Sequence, residues 1–335
     1  MSLSASQQIL KKFIPYIVGA IIAIQAMTPP FEFGLRLIDD KLRFVWIFLV
    51  FGVLAFYFIF TKASIWLKIL IPYVFINSFI TQVPTFSMIS AIWVILCAYF
   101  YLLCLEIDNW DTMVKIVSAV LCVEFLTVVL ESFGKDTLLN FYQVPGHGAG
   151  TIANSMQLKA FIFIAMAFLI AVGKPKILKK NIWVTGTFIF CWALGYLIVS
   201  HKIADYLYAR GPVAVSAVAL WCQHPVIGWG VGTFKGIFPT LAHGHFSIEG
   251  QWTHAHNTFV EILFELGIIG YYLFIGYCLS LFTRAKGFLT FAMIIVGVVM
   301  SMTFPDRQTT VVPILILFTA YADLQARARL KELED

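Results

Sequence analysis

The chain has 335 residues, of which 60% are hydrophobic, 16% aromatic and only 12% charged. Soluble domains carry about 25% charged residues, so roughly half that share, with apolar runs of bilayer-spanning length recurring throughout, excludes an ordinary water-soluble fold. The net charge of +5 comes from basic residues scattered through short connections rather than gathered on one face, which argues against a nucleic-acid partner.

Hydropathy predicts an all-α, polytopic transmembrane helical bundle, one integral membrane domain over residues 1–335. The expected spans are 9–28, 44–61, 64–82, 86–106, 112–132, 151–173, 181–201, 257–283, 287–304 and 308–324. Lys11 and Lys12 ahead of Phe13 to Met27 resemble the start of a signal peptide, but without a small-x-small cleavage site the stretch reads as an uncleaved first span. Glu124 and Glu131 interrupt the fifth span. The one long interruption, 202–256, is too polar and too rich in glycine for a span and reads as a loop between spans 7 and 8. Within it, Gly211 and Pro212 are expected to break the chain after Arg210, leaving Val213 to Cys222 as a short helix along the membrane surface. Gly267, Gly270 and Gly276 in the next span suggest close helix packing. Cysteines 97, 104, 122, 191 and 278 fall in apolar runs and only Cys222 in the loop, so no disulfide framework is indicated.

Lysine and arginine orient this arrangement. One side receives residues 11, 12, 62, 115, 174, 176, 179, 180, 284, 286, 327, 329 and 331, and the other side's short loops receive 36, 41, 43, 135 and 307. The excess puts both termini in the cytoplasm and the 202–256 loop outside. In a bacterium that is the periplasm, where chemistry must run on an already activated substrate because no ATP is present.

The loop and the residue just before it hold six of the seven histidines: 201, 224, 243, 245, 254 and 256. Gly228, Gly230 and Gly232 suggest a flexible turn with aromatic anchors Trp229 and Phe234. Its backbone N–H groups could cradle phosphate, although loop packing is the commoner use of such a stretch. Asn257, Glu261 and Glu265 are four apart and share one helical face. Carboxylates at that depth face a wet cavity or pair with a neighbouring helix, for instance near Lys159. His256 at the mouth of the span has the side chain of a general base, and equally that of a helix-end residue.

The stretch "HNTFVEILFELGIIG" (His-Asn, nine residues, Gly, two residues, Gly) resembles the signature of the bacterial O-antigen ligase family, within the wider group of O-antigen polymerases and protein O-oligosaccharyltransferases. "RGPVAVSAVALWCQHPVIGWGVGTF" is similar to that group's arginine, short amphipathic helix, His-Pro and Gly-x-Gly. "GAGTIANSMQLKAF" resembles its Gly-rich entry into a span, with Gln157 where a second asparagine would stand. The likeness covers about residues 145–283. The chain has fewer spans than family ligases typically carry, and "VSHKIADYLYARG" lacks their Ser-Arg motif, so that Lys202 stands nearest to the missing arginine.

The resemblance implies a GT-C-like glycosyltransferase of the bacterial inner membrane with a periplasmic active site and no cofactor. Its donor would be a glycan on undecaprenyl diphosphate and its acceptor a hydroxyl, first of all on lipid A–core, as in lipopolysaccharide biosynthesis. It assigns catalysis to His256 as base and Arg210 as diphosphate ligand, and substrate binding to Lys202, Asn257, Gly230, Gly232, His254 and Glu261, with Glu261 shaping the polar pocket under His256. A polysaccharide polymerase shares the motif. Two other classes stay open: a metal enzyme using the His-x-His pairs 243/245 and 254/256 with Glu249 between them, and a lipid-linked glycan transporter whose path is marked by Glu124, Glu131, Lys159 and Glu261.

Overall fold

The computed structural model describes residues 5–27, 41–81, 83–132, 155–172, 203–245, 254–302 and 311–334. Every regular element among them is helical: α1 (Ala5–Met27), α2 (Lys41–Tyr57) with a 3₁₀ turn at Phe58–Phe60, α3 (Ile65–Asn77), α4 (Pro84–Leu105), α5 (Trp110–Ser132), α6 (Ser155–Val172), α7 (Ile203–Trp221), α8 (Phe234–His245), α9 (Thr258–Phe282), α10 (Phe288–Met302) and α11 (Val311–Glu334). Each expected span therefore coincides with a helix, except 181–201, which lies outside the described residues. Among the described residues, three helical stretches, Pro84–Leu105, Thr258–Phe282 and Val311–Glu332, are long and apolar enough to cross a membrane.

The main core lies where α6 packs on α5, α10 and α11. Almost every described side chain of α6 from Ala160 to Val172 is buried, including Phe161, Ile164 and Phe168, because the helix is apolar all round and has neighbours on all sides. Outer helices show the reverse. Phe60, Val53, Val215 and Tyr272 are 81%, 71%, 68% and 65% exposed, forming part of an apolar exterior that water would penalise and lipid would not. Inside, Asp323 on α11 is held by Tyr101 of α4 and Arg327 one turn on, so one buried carboxylate has both a hydroxyl and a guanidinium.

The 202–256 interruption is more regular than its composition suggests. Gly211 and Pro212 do not end a helix; α7 runs through both. A proline disfavours helical backbone in the residue before it by striking that residue's Cβ, and glycine has none. What remains is the missing N–H of Pro212, which costs the bond to Tyr208, and the crowding of the proline ring against that residue's carbonyl. A second, unexpected helix follows. In α8 the residues Phe234, Ile237, Phe238, Leu241 and Ala242 repeat at helical spacing, and they turn one apolar face toward Val213, Leu220 and Phe264. Phe234 stacks on Phe238 at 4.4 Å between centroids and meets Phe264 edge-on at 5.0 Å.

Candidate functional site

The site is built around a break in α9. At Gly267 the backbone leaves helical geometry, with φ 63° and ψ −168°. An unbroken helix would send the N–H of Ile268 to Phe264 and that of Ile269 to Glu265. Instead Ile268 donates to Pro225 O (2.9 Å) and Ile269 to Val226 O (3.3 Å), while the freed carbonyls of Phe264 and Glu265 accept from Trp229 and Gly230, both at 2.9 Å. Tyr73 of α3 donates its hydroxyl to Leu266 O at 2.7 Å. Broken backbone in an apolar setting requires new partners, and the 225–230 segment supplies them residue by residue.

Asn77, buried at the end of α3, holds that segment from the other side. Its amide donates to Ile227 O at 2.7 Å and its oxygen accepts from Val231 N at 2.8 Å. The approach at the break is backbone to backbone. A Cβ on Gly267 would lie 2.4 Å from Val226 O, and one on Gly228 would lie 2.4 Å from Glu265 O. Gly267 is therefore not the helix-packing glycine its spacing suggests, whereas Gly270 and Gly276 do face aromatic rings of α3, those of Tyr73 and Trp66.

The glycine-rich turn does form an anion cradle, and Glu265 fills it. Its carboxylate accepts from Gly232 N at 2.7 Å and Phe234 N at 3.1 Å. The N–H of Gly230 is taken by the Glu265 carbonyl. Neither glycine thus presents its N–H to an external phosphate, as a substrate-binding role would require. The bond donors expected for a ligand instead fasten the loop to α9.

Glu261, one turn earlier and also buried, organises the entrance. One oxygen accepts from Ala255 N at 2.9 Å and the other meets His254 Nδ1 at 3.0 Å. Asn257 caps α9, its side-chain oxygen accepting from Phe259 N and Val260 N at 3.0 and 3.2 Å. Between these two anchors His256 has φ 51°, and no other described residue except glycine has positive φ. Such left-handed backbone costs a residue with a Cβ about 1–2 kcal/mol, so the bonds on either side hold His256 in place.

Behind this entrance lies a cavity of ≈ 330 Å³. Its walls are largely apolar, from Leu70, Trp93, Ile262 and Leu315 among others, and its polar lining is His254, Glu261, Glu265, Thr258, Ser90 and Lys235. The structure thus brings together His254, Glu261 and Gly232 of the expected residues, with Asn257 and His256 on the adjoining backbone. Arg210 lies on α7 but its side chain is outside the described residues, as is Lys202 altogether. The same holds for Lys159 and for the side chains of His243 and His245. Among the described residues no three of His, Cys, Asp or Glu converge as a metal site would need. The sequence assigned no site role to Asn77 or Lys235, and it marked Glu265 only as a carboxylate on the face of Asn257 and Glu261. A lone asparagine ending an apolar helix was the readable sign for the first.

The chain matches no protein-family model, no curated protein and no solved structure.

Proposed function

We propose that this chain is an inner-membrane glycosyltransferase of the O-antigen ligase type, ten-span and GT-C-like, with both termini cytoplasmic and its site facing the periplasm. It moves a glycan from undecaprenyl diphosphate to a hydroxyl acceptor, in the first instance a lipid A–core sugar. The observation that carries this reading is His256, held in left-handed backbone by Glu261 and Asn257 beside a cavity with a polar end. Strained backbone persists where surrounding structure over-determines it, and it gathers at functional sites.

In this reaction the acceptor oxygen attacks the anomeric carbon opposite the diphosphate. The new C–O bond forms as the bond to the diphosphate oxygen breaks, and undecaprenyl diphosphate leaves with the electron pair, inverting the centre. His256 takes the hydroxyl proton. Lys235 at the cavity, together with Arg210 and Lys202, meets the donor's negative charge by charge-assisted hydrogen bonds and stabilises it as it grows. His254 and Glu261 are positioning residues: with Nδ1 fixed on the carboxylate, the His254 ring and the Ala255 backbone are set, and His256 with them.

Transfer by purified protein in liposomes, from a lipid-linked glycan to lipid A–core, tests the reading. His256→Gly is the variant of choice, since glycine accepts the left-handed backbone and removes only the imidazole. It should lower the transfer rate by about 10²–10⁴-fold, the usual contribution of a general base, and His254→Ala should lower it less. Undiminished transfer by His256→Gly, with His254→Ala inactive, would move the base to His254. A wild-type protein that transfers glycan to no hydroxyl acceptor would end the proposal.

A further inference from the structure

At the other end of α9 lies a second cavity, of ≈ 420 Å³, which takes no part in the reaction proposed above. The break at Gly267 and the rest of this 25-residue element separate the two cavities. Its lining brings together chain segments that are distant in sequence: the last residues of α6 (Ile170, Ala171 and Val172), the α9–α10 connection (Arg284, Lys286 and Gly287), the first turn of α10, and the end of α11 (Gln325, Arg329 and Glu332).

Charge there is unbalanced. Three cations face one carboxylate, and none of the ion pairs among the described residues involves Arg284, Lys286, Arg329 or Glu332. Arg327, two residues from Arg329 on the same helix, is neutralised by Asp323, so lack of pairing is not a general property of the end of α11. The Arg329 guanidinium is partly anchored, with one Nη donating to Arg284 O at 2.9 Å. Its Nε is buried with no acceptor. A buried charged donor left unmatched is costly, and an anion's oxygen relieves it. Phe288 and Leu289 bring the N-terminus of the 15-residue α10 to the same cavity, which adds positive potential. Ile170, Ala171, Val172, Leu289 and Ala328 make one side of the cavity apolar, beside Tyr321, whose hydroxyl donates to Ala171 O.

We infer that this cavity binds a phosphate group, with Arg284, Lys286 and Arg329 as ligands. Guanidinium groups match phosphate oxygens in pairs. The apolar side gives room for the glycerol and upper acyl carbons of an anionic phospholipid, and basic pockets between membrane helices are suited to such headgroups. Free phosphate offers the same chemistry without the chain.

Native mass spectrometry of the full-length protein, released from nanodiscs of phosphatidylglycerol and phosphatidylcholine in equal parts, reads the site directly. Wild type should retain phosphatidylglycerol over phosphatidylcholine. Lys286→Gln, exposed and harmless to folding, should weaken retention about fivefold, and the triple variant with Arg284→Gln and Arg329→Gln on the order of a hundredfold, at the usual contribution of each cation near a headgroup. Lys115→Gln, an exposed lysine on the expected cytoplasmic side, should change nothing. Inorganic phosphate that displaces the lipid at millimolar concentration would support the same ligands and name the soluble anion as their occupant. Equal retention of both lipids by wild type, with no phosphate bound, overturns the inference. So does an equal loss for Lys115→Gln and Lys286→Gln, which reduces the effect to diffuse surface charge.

Discussion

Glu261 spends both carboxylate oxygens within its own neighbourhood, one on the Ala255 N–H and one on His254. A buried acid at the start of an apolar helix therefore has a local structural use before any chemistry is considered. Glu261→Ala strands the buried Ala255 N–H and should cost about 1–3 kcal/mol of stability, the penalty for an unsatisfied buried donor. Glu261→Gln keeps a carbonyl oxygen for that N–H and should retain most of the stability. Its amide nitrogen, however, needs His254 Nδ1 as an acceptor, which moves the ring proton to Nε2. Thermal unfolding of the two variants in detergent separates them. Equal midpoints for Ala and wild type would show that Glu261 does not brace the entrance.

Among the elements, α9 differs most from its sequence. Its apolar run announces a span, and the helix is there, but the break at Gly267 is not written in the local pattern. Gly267, Gly270 and Gly276 look alike in sequence, and only the partner distinguishes them: backbone of the 225–228 segment at the first, aromatic rings at the others. Gly267→Ala should cost about 2–5 kcal/mol, combining left-handed backbone with an overlap that no rotamer relieves. Gly276→Ala meets only the Trp66 ring, a side chain with some freedom to shift, and should cost less. Unfolding midpoints that rank these two variants in the opposite order would refute the argument from the break. α8 was missed for a local reason: Phe234, Ile237, Phe238, Leu241 and Ala242 carry a helical period, but Gly236 and Pro239 obscure it. Of the candidate site, the Asn257 cap and the closeness of His254 to Glu261 follow from short-range spacing. The bonds from Glu265 to Gly232 and Phe234 cross some thirty residues of chain, and no local pattern could announce them.

For the whole molecule, two contacts join residues that the lysine and arginine count assigns to one side. Lys11 and Lys62, assigned to one side by the lysine and arginine count, meet the same residue, Glu106, at 3.6 and 3.3 Å. Arg284 and Arg329, assigned to that side as well, meet at 2.9 Å. The 203–256 region carries the exposed Cys222. In a variant keeping that cysteine alone, a membrane-impermeant maleimide should label it in cells whose outer membrane has been permeabilised. Labelling only after the inner membrane is lysed would reverse the orientation and remove the periplasmic reaction with it.

The division of the α9 junction between two stretches of chain has a consequence for biogenesis. The 225–230 segment precedes α9 in the chain, and the four backbone bonds that replace helical ones around Gly267 all join the two. Neither partner can complete these bonds within itself, so the finished junction requires both to have been synthesised. An α9 without that segment would keep its own bonds only as an unbroken helix. The entrance beside His256 is then a product of assembly rather than of α9 alone.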